Sequence, residues 1–288
     1  IFVRRLQRHL SRQQILYKFF GFASSGKYTH KKGLVIIQID SLSKKDFKNA
    51  VAGGKMKFCK KLLGQGYRPY SFYTGVPCST AAVQAELFYG VKSAVPAFGF
   101  FDYLTHRPFV MFNPADAYEI ENRLEMEGYG LFTGGSSYSN IFTGGAKESH
   151  FCISSLSAAG FLKHRYPLGF AVLVFLHIFS LLWAFLLMIF EFFLALFDFI
   201  RGIVAGKHLG KELKFIPSRV AICILLRELI TIGAMIDIAR GLPIIHLNFV
   251  GFHEQSHRRG ATSRFAYWTL KGIDNSIKRI WKAAHRAN

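Results

Sequence analysis

The feature that most constrains this chain is an apolar run, residues 168–190, that contains no charged side chain. Such a run is long enough for one membrane span of about 20 residues. Alternating strand and helix patterns lie on both sides of it, over 34–165 and 211–288. If these stretches form one domain, a single crossing would leave its halves on opposite sides of a membrane. The run therefore predicts two-pass transmembrane insertion, monotopic embedding as an interfacial helix pair, or a buried soluble subdomain or oligomer interface.

The same patterns predict how the chain is divided. We expect a basic leader at 1–32, the first part of an α/β domain at 33–165, a hydrophobic membrane-associated helical insertion at 166–210, and a continuation of the domain at 211–288.

Charge and cysteine usage narrow the choice of partners and compartment. The chain is 51% hydrophobic and has 30 Phe, yet its formal net charge is +20, which favours contact with an anionic surface. Because the apolar residues are concentrated in one block, we expect membrane lipid as the partner and no nucleic acid. Basic residues on both flanks of the block favour the cytoplasmic face. The four Cys show no C-x-x-C spacing, so neither a disulfide framework nor a zinc finger is expected.

Hydrophobic periodicity and turn residues predict a succession of strands and helices typical of a doubly wound α/β fold. A β-branched run that ends in Asp40 is typical of a buried parallel strand. The predicted strands are 34–40, 68–74 and 244–252, and the predicted helices are 44–66 with a break at Gly53 and Gly54, 81–89, 114–128, 217–239 and 265–284.

Three groups of residues could carry chemistry. Asp40 follows the first strand, Ser79 and Thr80 lie in a turn before a helix, and His253 and His257 follow the last strand four residues apart. The hydroxyls could equally cap the helix, and the histidines could be exposed loop residues. A carboxylate and two imidazoles suit a zinc-like ion, and a hydroxyl beside such an ion can act as a nucleophile. Together these groups indicate hydrolysis of a phosphate ester.

Four stretches also carry a resemblance: VIIQIDSLS (35–43), GYRPYSFYTGVPCSTAAVQAELFYG (66–90), GGSSYSNIFTGGA (134–146) and LNFVGFHEQSHRRGATSRFAYWTLKGIDNSIKRIW (247–281). As a set, and in this order, they resemble the nucleotide pyrophosphatase/phosphodiesterase branch of the alkaline phosphatase superfamily. The resemblance is stronger to a group of bacterial membrane-associated proteins within that branch. It covers most of 33–165 and 211–285.

The resemblance implies an alkaline-phosphatase-like doubly wound sheet with helices on both faces, here interrupted by the hydrophobic helical insertion. It implies two divalent ions, zinc or manganese, with Asp40, Ser79, His253 and His257 as metal ligands. The family's nucleophile corresponds to Ser79, with Thr80 as the alternate. His253 stands where the family has Asp, which would make the site one charge unit more positive.

The family completes its centre with a later S-D-H-G motif that these 288 residues do not contain. The resemblance therefore implies that a C-terminal part is missing and that the chain as given is inactive or nearly so. The expected function is a membrane-associated, metal-dependent phosphodiesterase or phosphatase whose phosphate-ester substrate comes from lipid or the cell envelope. The alternative is a non-catalytic membrane-bound module of the same fold that binds a phosphorylated partner.

Other polar residues have a functional and a structural interpretation. Ser136 and Ser137 could hold phosphate oxygens or belong to simple turns. Arg258 and Arg259 could contact an anionic substrate or be solvated. Asp274 is expected to orient its helix or the neighbouring elements.

Overall fold

A parallel four-stranded sheet forms the centre of the protein, in the order β1-β6-β4-β5. The computed structural model describes residues 32–92, 95–157, 178–204 and 220–287. The strands are β1 Leu34–Ile39, β4 Ser136–Tyr138, β5 Glu148–His150 and β6 Ile244–Phe249, and a separate antiparallel hairpin joins β2 Gly99–Asp102 to β3 Arg107–Val110. The predicted α/β class is confirmed.

Eight helices surround the sheet in the described part of the chain: α1 Lys44–Ala52, α2 Lys57–Gly64, α3 Thr80–Tyr89, α4 Pro114–Glu127, α5 Ile178–Val204, α6 Arg227–Arg240, α7 Gly251–Arg259 and α8 Arg264–Ala287. A 3₁₀ turn covers Ile153–Ser157, and a π turn at Ala221–Leu226 leads into α6. Local signals explain several of the boundaries. The predicted break at Gly53 separates α1 from α2, and Asn113 caps α4 by accepting a hydrogen bond from the Ala115 N–H.

The two faces of the sheet carry separate apolar cores. Val35, Ile37 and Ile39 of β1 pack with α6 and α8 residues such as Ile230 and Ile273. Ile36, whose side chain points the opposite way, packs into a second cluster built mainly from α3 and α4. This alternation is the period of a strand that is covered by helices on both faces.

A buried ion-pair network holds the short strands β4 and β5. Arg240 of α6 contacts Glu148 of β5, at 2.5 Å and 2.7 Å, and Asp237, at 2.8 Å. The Tyr138 hydroxyl of β4 donates to Asp237 at 2.6 Å. Strands of three residues offer few ladder hydrogen bonds, so these side chains help to fix both strands against α6.

The predicted transmembrane helix is wrong for the described part of the chain, in which no helix is long and apolar enough to cross a membrane. α5 instead packs on the domain through a buried stripe of Ala184, Glu191 and Ala195. Burial lowers the pKa of the Arg227 guanidinium, and the negative charge of Glu191 is among the neighbouring charges that oppose this decrease. Any returning partner at 158–177 or 205–219 lies outside the described residues, as does the predicted basic leader except for Lys32.

The predicted strand 68–74 is also wrong, because this stretch is an irregular loop. Tyr70, Phe72 and Tyr73 are 85%, 74% and 83% exposed. Their aromatic character favours a strand, but none of the strands in the described part of the chain pairs with them.

Replacing Gly135 with Ala should destabilise the fold, because the new Cβ would lie 2.0 Å from the carbonyl oxygen of Ile244. β4 would then have to move away from β6, and we expect a loss of about 2 kcal/mol or more in the free energy of unfolding. Urea denaturation measures the effect. Gly64→Ala is the matched control, since its Cβ meets nothing within 4 Å, and it should change stability by no more than about 1 kcal/mol. Equal stability of the two variants would contradict the strand packing described.

Candidate functional site

The candidate site lies where β1 and β6 end side by side. Ile39 pairs with Phe249, and the Asp40 N–H continues the ladder by donating to the Phe249 carbonyl at 3.1 Å. The chain then turns sharply, since Ser41 has a φ of 61°. A left-handed Ser is uncommon and directs the chain away from the sheet. The Asp40 carboxylate is thereby held at the carboxyl edge of the sheet, where ligands of α/β proteins bind.

The two hydroxyls of the turn have different partners. Ser79 is the N-cap of α3, and its hydroxyl accepts a hydrogen bond from the Ala82 N–H at 3.4 Å. Thr80, the first residue of α3, directs its hydroxyl to the Asp40 carboxylate, at 3.3 Å and 3.4 Å from the two oxygens. Of the two predicted candidates, Thr80 therefore lies beside the carboxylate while Ser79 fixes the start of the helix.

The two predicted histidines lie on one face of a helix, as their spacing predicts. His253 and His257 belong to α7, and their ring centroids are 4.3 Å apart. The His253 Nδ1 lies 2.5 Å from the Ser41 hydroxyl oxygen and 3.7 Å from an Asp40 carboxylate oxygen. The structure thus brings Asp40, Thr80, His253 and His257 together from three distant parts of the sequence.

The environment of Asp40 changes its acidity. Burial raises the pKa of the Asp40 carboxyl above its usual 3.8, while the charge of His253 and the hydrogen bond from Thr80 oppose that increase. A carboxylate with a raised pKa is a stronger base, so it accepts a proton from a neighbouring hydroxyl more readily than a solvated carboxylate does.

The predicted metal-binding, zinc-type site is wrong for the residues that the structure describes. Among them, no group of three or more His, Cys, Asp or Glu side chains is arranged to hold a metal ion. The Ser79 hydroxyl is used as a helix cap, and His253 Nδ1 faces the Ser41 hydroxyl. These side chains therefore do not fit the two-ion centre that the resemblance implies.

A buried polar network that the sequence analysis missed positions α3. The Gln84 side-chain amide donates to the side-chain oxygen (Oδ1) of Asn140 at 3.0 Å and accepts from the Ile141 N–H at 2.8 Å. The Asn140 amide donates to the Ser137 hydroxyl at 2.8 Å and to His246 Nδ1 at 2.9 Å. Gln84 lies four residues after Thr80, on the same side of the helix. The network therefore ties the helix that carries Thr80 to β4 and β6.

The interpretation of Ser136 and Ser137 as phosphate ligands is wrong, because both side chains are completely buried in β4. Asp274 has the expected structural role: its carboxylate accepts hydrogen bonds from the Phe58 and Cys59 N–H groups at the start of α2. Arg258 and Arg259 lie in the last turn of α7, and substrate contact by them stays a prediction.

Comparisons of the chain with protein-family models, with curated proteins and with solved structures find no match. The resemblance to the alkaline phosphatase superfamily, and the activity that it implies, therefore stay predictions.

Thiol labelling should single out Cys78, which precedes Ser79 and is the exposed cysteine of the four. Cys152 and Cys223 are buried, and burial raises the pKa of Cys152 to about 11 and that of Cys59 to about 12. A mildly alkaline thiol reagent should modify Cys78 first, as mapped by peptide mass spectrometry. Faster labelling of Cys59 would contradict the packing around α2.

The fold should become less stable as the pH falls, because His246 is buried as a neutral imidazole. Burial lowers the pKa of this imidazole to about 3, from a usual value of 6.5. Between these values the unfolded chain binds a proton that the folded chain excludes, so stability is complete above pH 6.5 and decreases as the pH falls towards 3. In this range the free energy of unfolding should decrease by about 1.4 kcal/mol for each unit by which the pH falls. Urea denaturation at several pH values should show a weaker pH dependence for His246→Gln, and an unchanged dependence would contradict a buried neutral His246.

Proposed function

We propose that this protein is a hydrolase of phosphate esters in which the Thr80 hydroxyl is the nucleophile. One observation carries the proposal: the Thr80 hydroxyl is directed at the partly buried carboxylate of Asp40, within 3.3–3.4 Å of its oxygens. A hydroxyl is a weak nucleophile unless a neighbouring base takes its proton. Asp40 is such a base, since its raised pKa strengthens it.

The proposed reaction uses side chains of this chain and water. The Thr80 oxygen forms a bond to phosphorus as its proton passes to Asp40, and the bond between phosphorus and the ester oxygen breaks. The departing alkoxide takes a proton from a protonated imidazole of His253 or His257. Water then attacks the phosphothreonine and gives its proton to the imidazole, while the Thr80 oxygen leaves phosphorus and recovers the proton held by Asp40. A monoester substrate thus releases inorganic phosphate, and a diester releases a phosphate monoester.

The surroundings of Thr80 suit an anion. The first backbone N–H groups of a helix have no acceptor within the helix, and the helix dipole places partial positive charge there. α3 begins at Thr80, and the Ala82 N–H already donates to the Ser79 hydroxyl, so the N–H groups of Thr80 and Ala81 are those that lie at the proposed nucleophile. The imidazoles of His253 and His257, when protonated, add positive charge beside Asp40. A phosphate group would thus meet positive charge from two elements.

We also propose that the sheet has an alkaline-phosphatase-type arrangement. The four stretches that carry the resemblance support this arrangement. The neighbouring position of β1 and β6 supports it too, because Asp40 and His257 can meet in such an arrangement only if these two strands are adjacent.

Kinetics of two hydroxyl variants test the proposal. Thr80→Ala should lower kcat for p-nitrophenyl phosphate or its bis ester by about 10³-fold or more, because the attacking oxygen is lost. Ser79→Gly is the matched control: it removes the neighbouring hydroxyl, and glycine costs a helix cap only a few tenths of a kcal/mol. It should keep most of the activity. A large loss in Ser79→Gly with little loss in Thr80→Ala would overturn the assignment.

A second candidate is a non-catalytic module that binds a phosphorylated partner. The distances of 3.3–3.4 Å between Thr80 and Asp40 favour it, since strong O–H···O bonds have lengths of about 2.7–2.8 Å. In that case wild type and Thr80→Ala would bind inorganic phosphate with similar affinity, and neither would release p-nitrophenol. Turnover that depends on Thr80 would exclude it.

A further inference from the structure

A groove of about 640 Å³ lies beside the candidate site. One wall is the start and middle of α1 and the end of α2, and the other is the irregular loop that includes Tyr67 and Thr74. This volume is within the range of small-molecule sites, about 300–1,000 Å³.

The groove begins two residues after Asp40 in the chain. Leu42, Ser43 and Lys44 line it and directly follow Asp40 and Ser41. On the other wall, the lining loop ends at Thr74, shortly before the turn that leads to α3. Since two residues span at most about 7 Å, Leu42 keeps the near end of the groove close to Asp40, so the ester substituent of a phosphate bound beside Thr80 can reach the groove.

The lining is apolar and aromatic, with Phe47, Leu62, Leu63, Tyr67, Tyr70 and Phe72 as its main contributors. Tyr70 and Phe72 are largely exposed, at 85% and 74%. Exposed aromatic side chains that line a groove gain contact area when an apolar group covers them.

The polar residues of the lining favour a particular kind of ligand. Among the residues that the structure describes, Lys44 and Arg68 are its charged members, and no Asp, Glu, Asn or Gln side chain lines it. Lys44 also links the two walls by donating to the Ser71 hydroxyl at 2.5 Å. The positive charge complements a phosphate. The lining also carries hydroxyls, but those of Ser43 and Ser71 are already paired with Asp46 and Lys44. The amide and carboxylate groups that would match the edges of a nucleobase are missing from the described lining.

We propose that this groove binds the alcohol part of the substrate and selects phosphate esters of apolar alcohols, aromatic or long-chain. The inference rests on the proposed function for the position of the phosphate. Contact of the apolar group with Tyr70 and Phe72 strengthens binding, while Lys44 and Arg68 attract the anion.

Binding to the Thr80→Ala protein tests the groove without hydrolysis. We expect calorimetry to show that 1-naphthyl phosphate or dodecyl phosphate binds at least about tenfold more tightly than inorganic phosphate, since about 1.4 kcal/mol of apolar contact gives that factor. Adding Tyr70→Ala and Phe72→Ala should remove this preference for the apolar esters over inorganic phosphate. The matched control adds Tyr103→Ala and Tyr129→Ala, which are both 81% exposed and lie outside the groove, and it should keep the preference. The better of the two probes identifies the alcohol as aromatic or long-chain.

Three results would overturn the inference: equal affinity for inorganic phosphate and both apolar esters, an unchanged preference in the groove variant, or adenosine monophosphate binding as tightly as the apolar esters. Failure of the proposed function would look different. In that case the apolar esters would bind in the groove, but the protein with Thr80 intact would not hydrolyse them. Conversely, hydrolysis that depends on Thr80 but ignores the groove substitutions would leave the function standing without the groove.

Discussion

The parallel pairing of β1 with β6 is the constraint on which the rest of the site depends. It aligns Leu34–Ile39 with Ile244–Phe249 residue by residue, although more than two hundred residues of chain separate them. Both strands end at the same edge, so the residues after them, Asp40 and His253, become neighbours. Because side chains alternate along a strand, a slip of one residue would exchange the two core faces and move Asp40 away from α7.

The hydroxyl partner of Asp40 comes from α3, which depends on a second interaction. Gln84 anchors this helix to Asn140, and Asn140 in turn contacts His246 of β6. His246 also stacks on Phe132, with ring centroids 4.7 Å apart. A buried polar network is specific only when all its members are paired, and here the two amides are matched in both directions. The strand that positions His253 and the helix that carries Thr80 are therefore fixed by one set of contacts.

Much of this fold could be predicted, because β1, β6, α3 and α4 have long apolar patterns or clear caps. The short polar strands Ser136–Tyr138 and Glu148–His150 have no such pattern, since ion pairs and neighbouring strands hold them. The loop at 68–74 has the composition of a strand but lines a groove. Within the site, strand ends and helical spacing are enough to predict the residues themselves. They do not decide between Ser79 and Thr80, because that choice depends on which residue caps α3.

The position of a trapped phosphoryl group tests most directly whether Thr80 is the nucleophile and Asp40 its base. The protein would be incubated with p-nitrophenyl phosphate, quenched in acid and mapped by peptide mass spectrometry, since a phosphothreonine survives these conditions. If Thr80 is the nucleophile, phosphate is found on Thr80, and none is found after Asp40→Asn removes the base. Phosphate on Ser79, or no phosphorylated residue while the ester is being hydrolysed, would contradict this assignment.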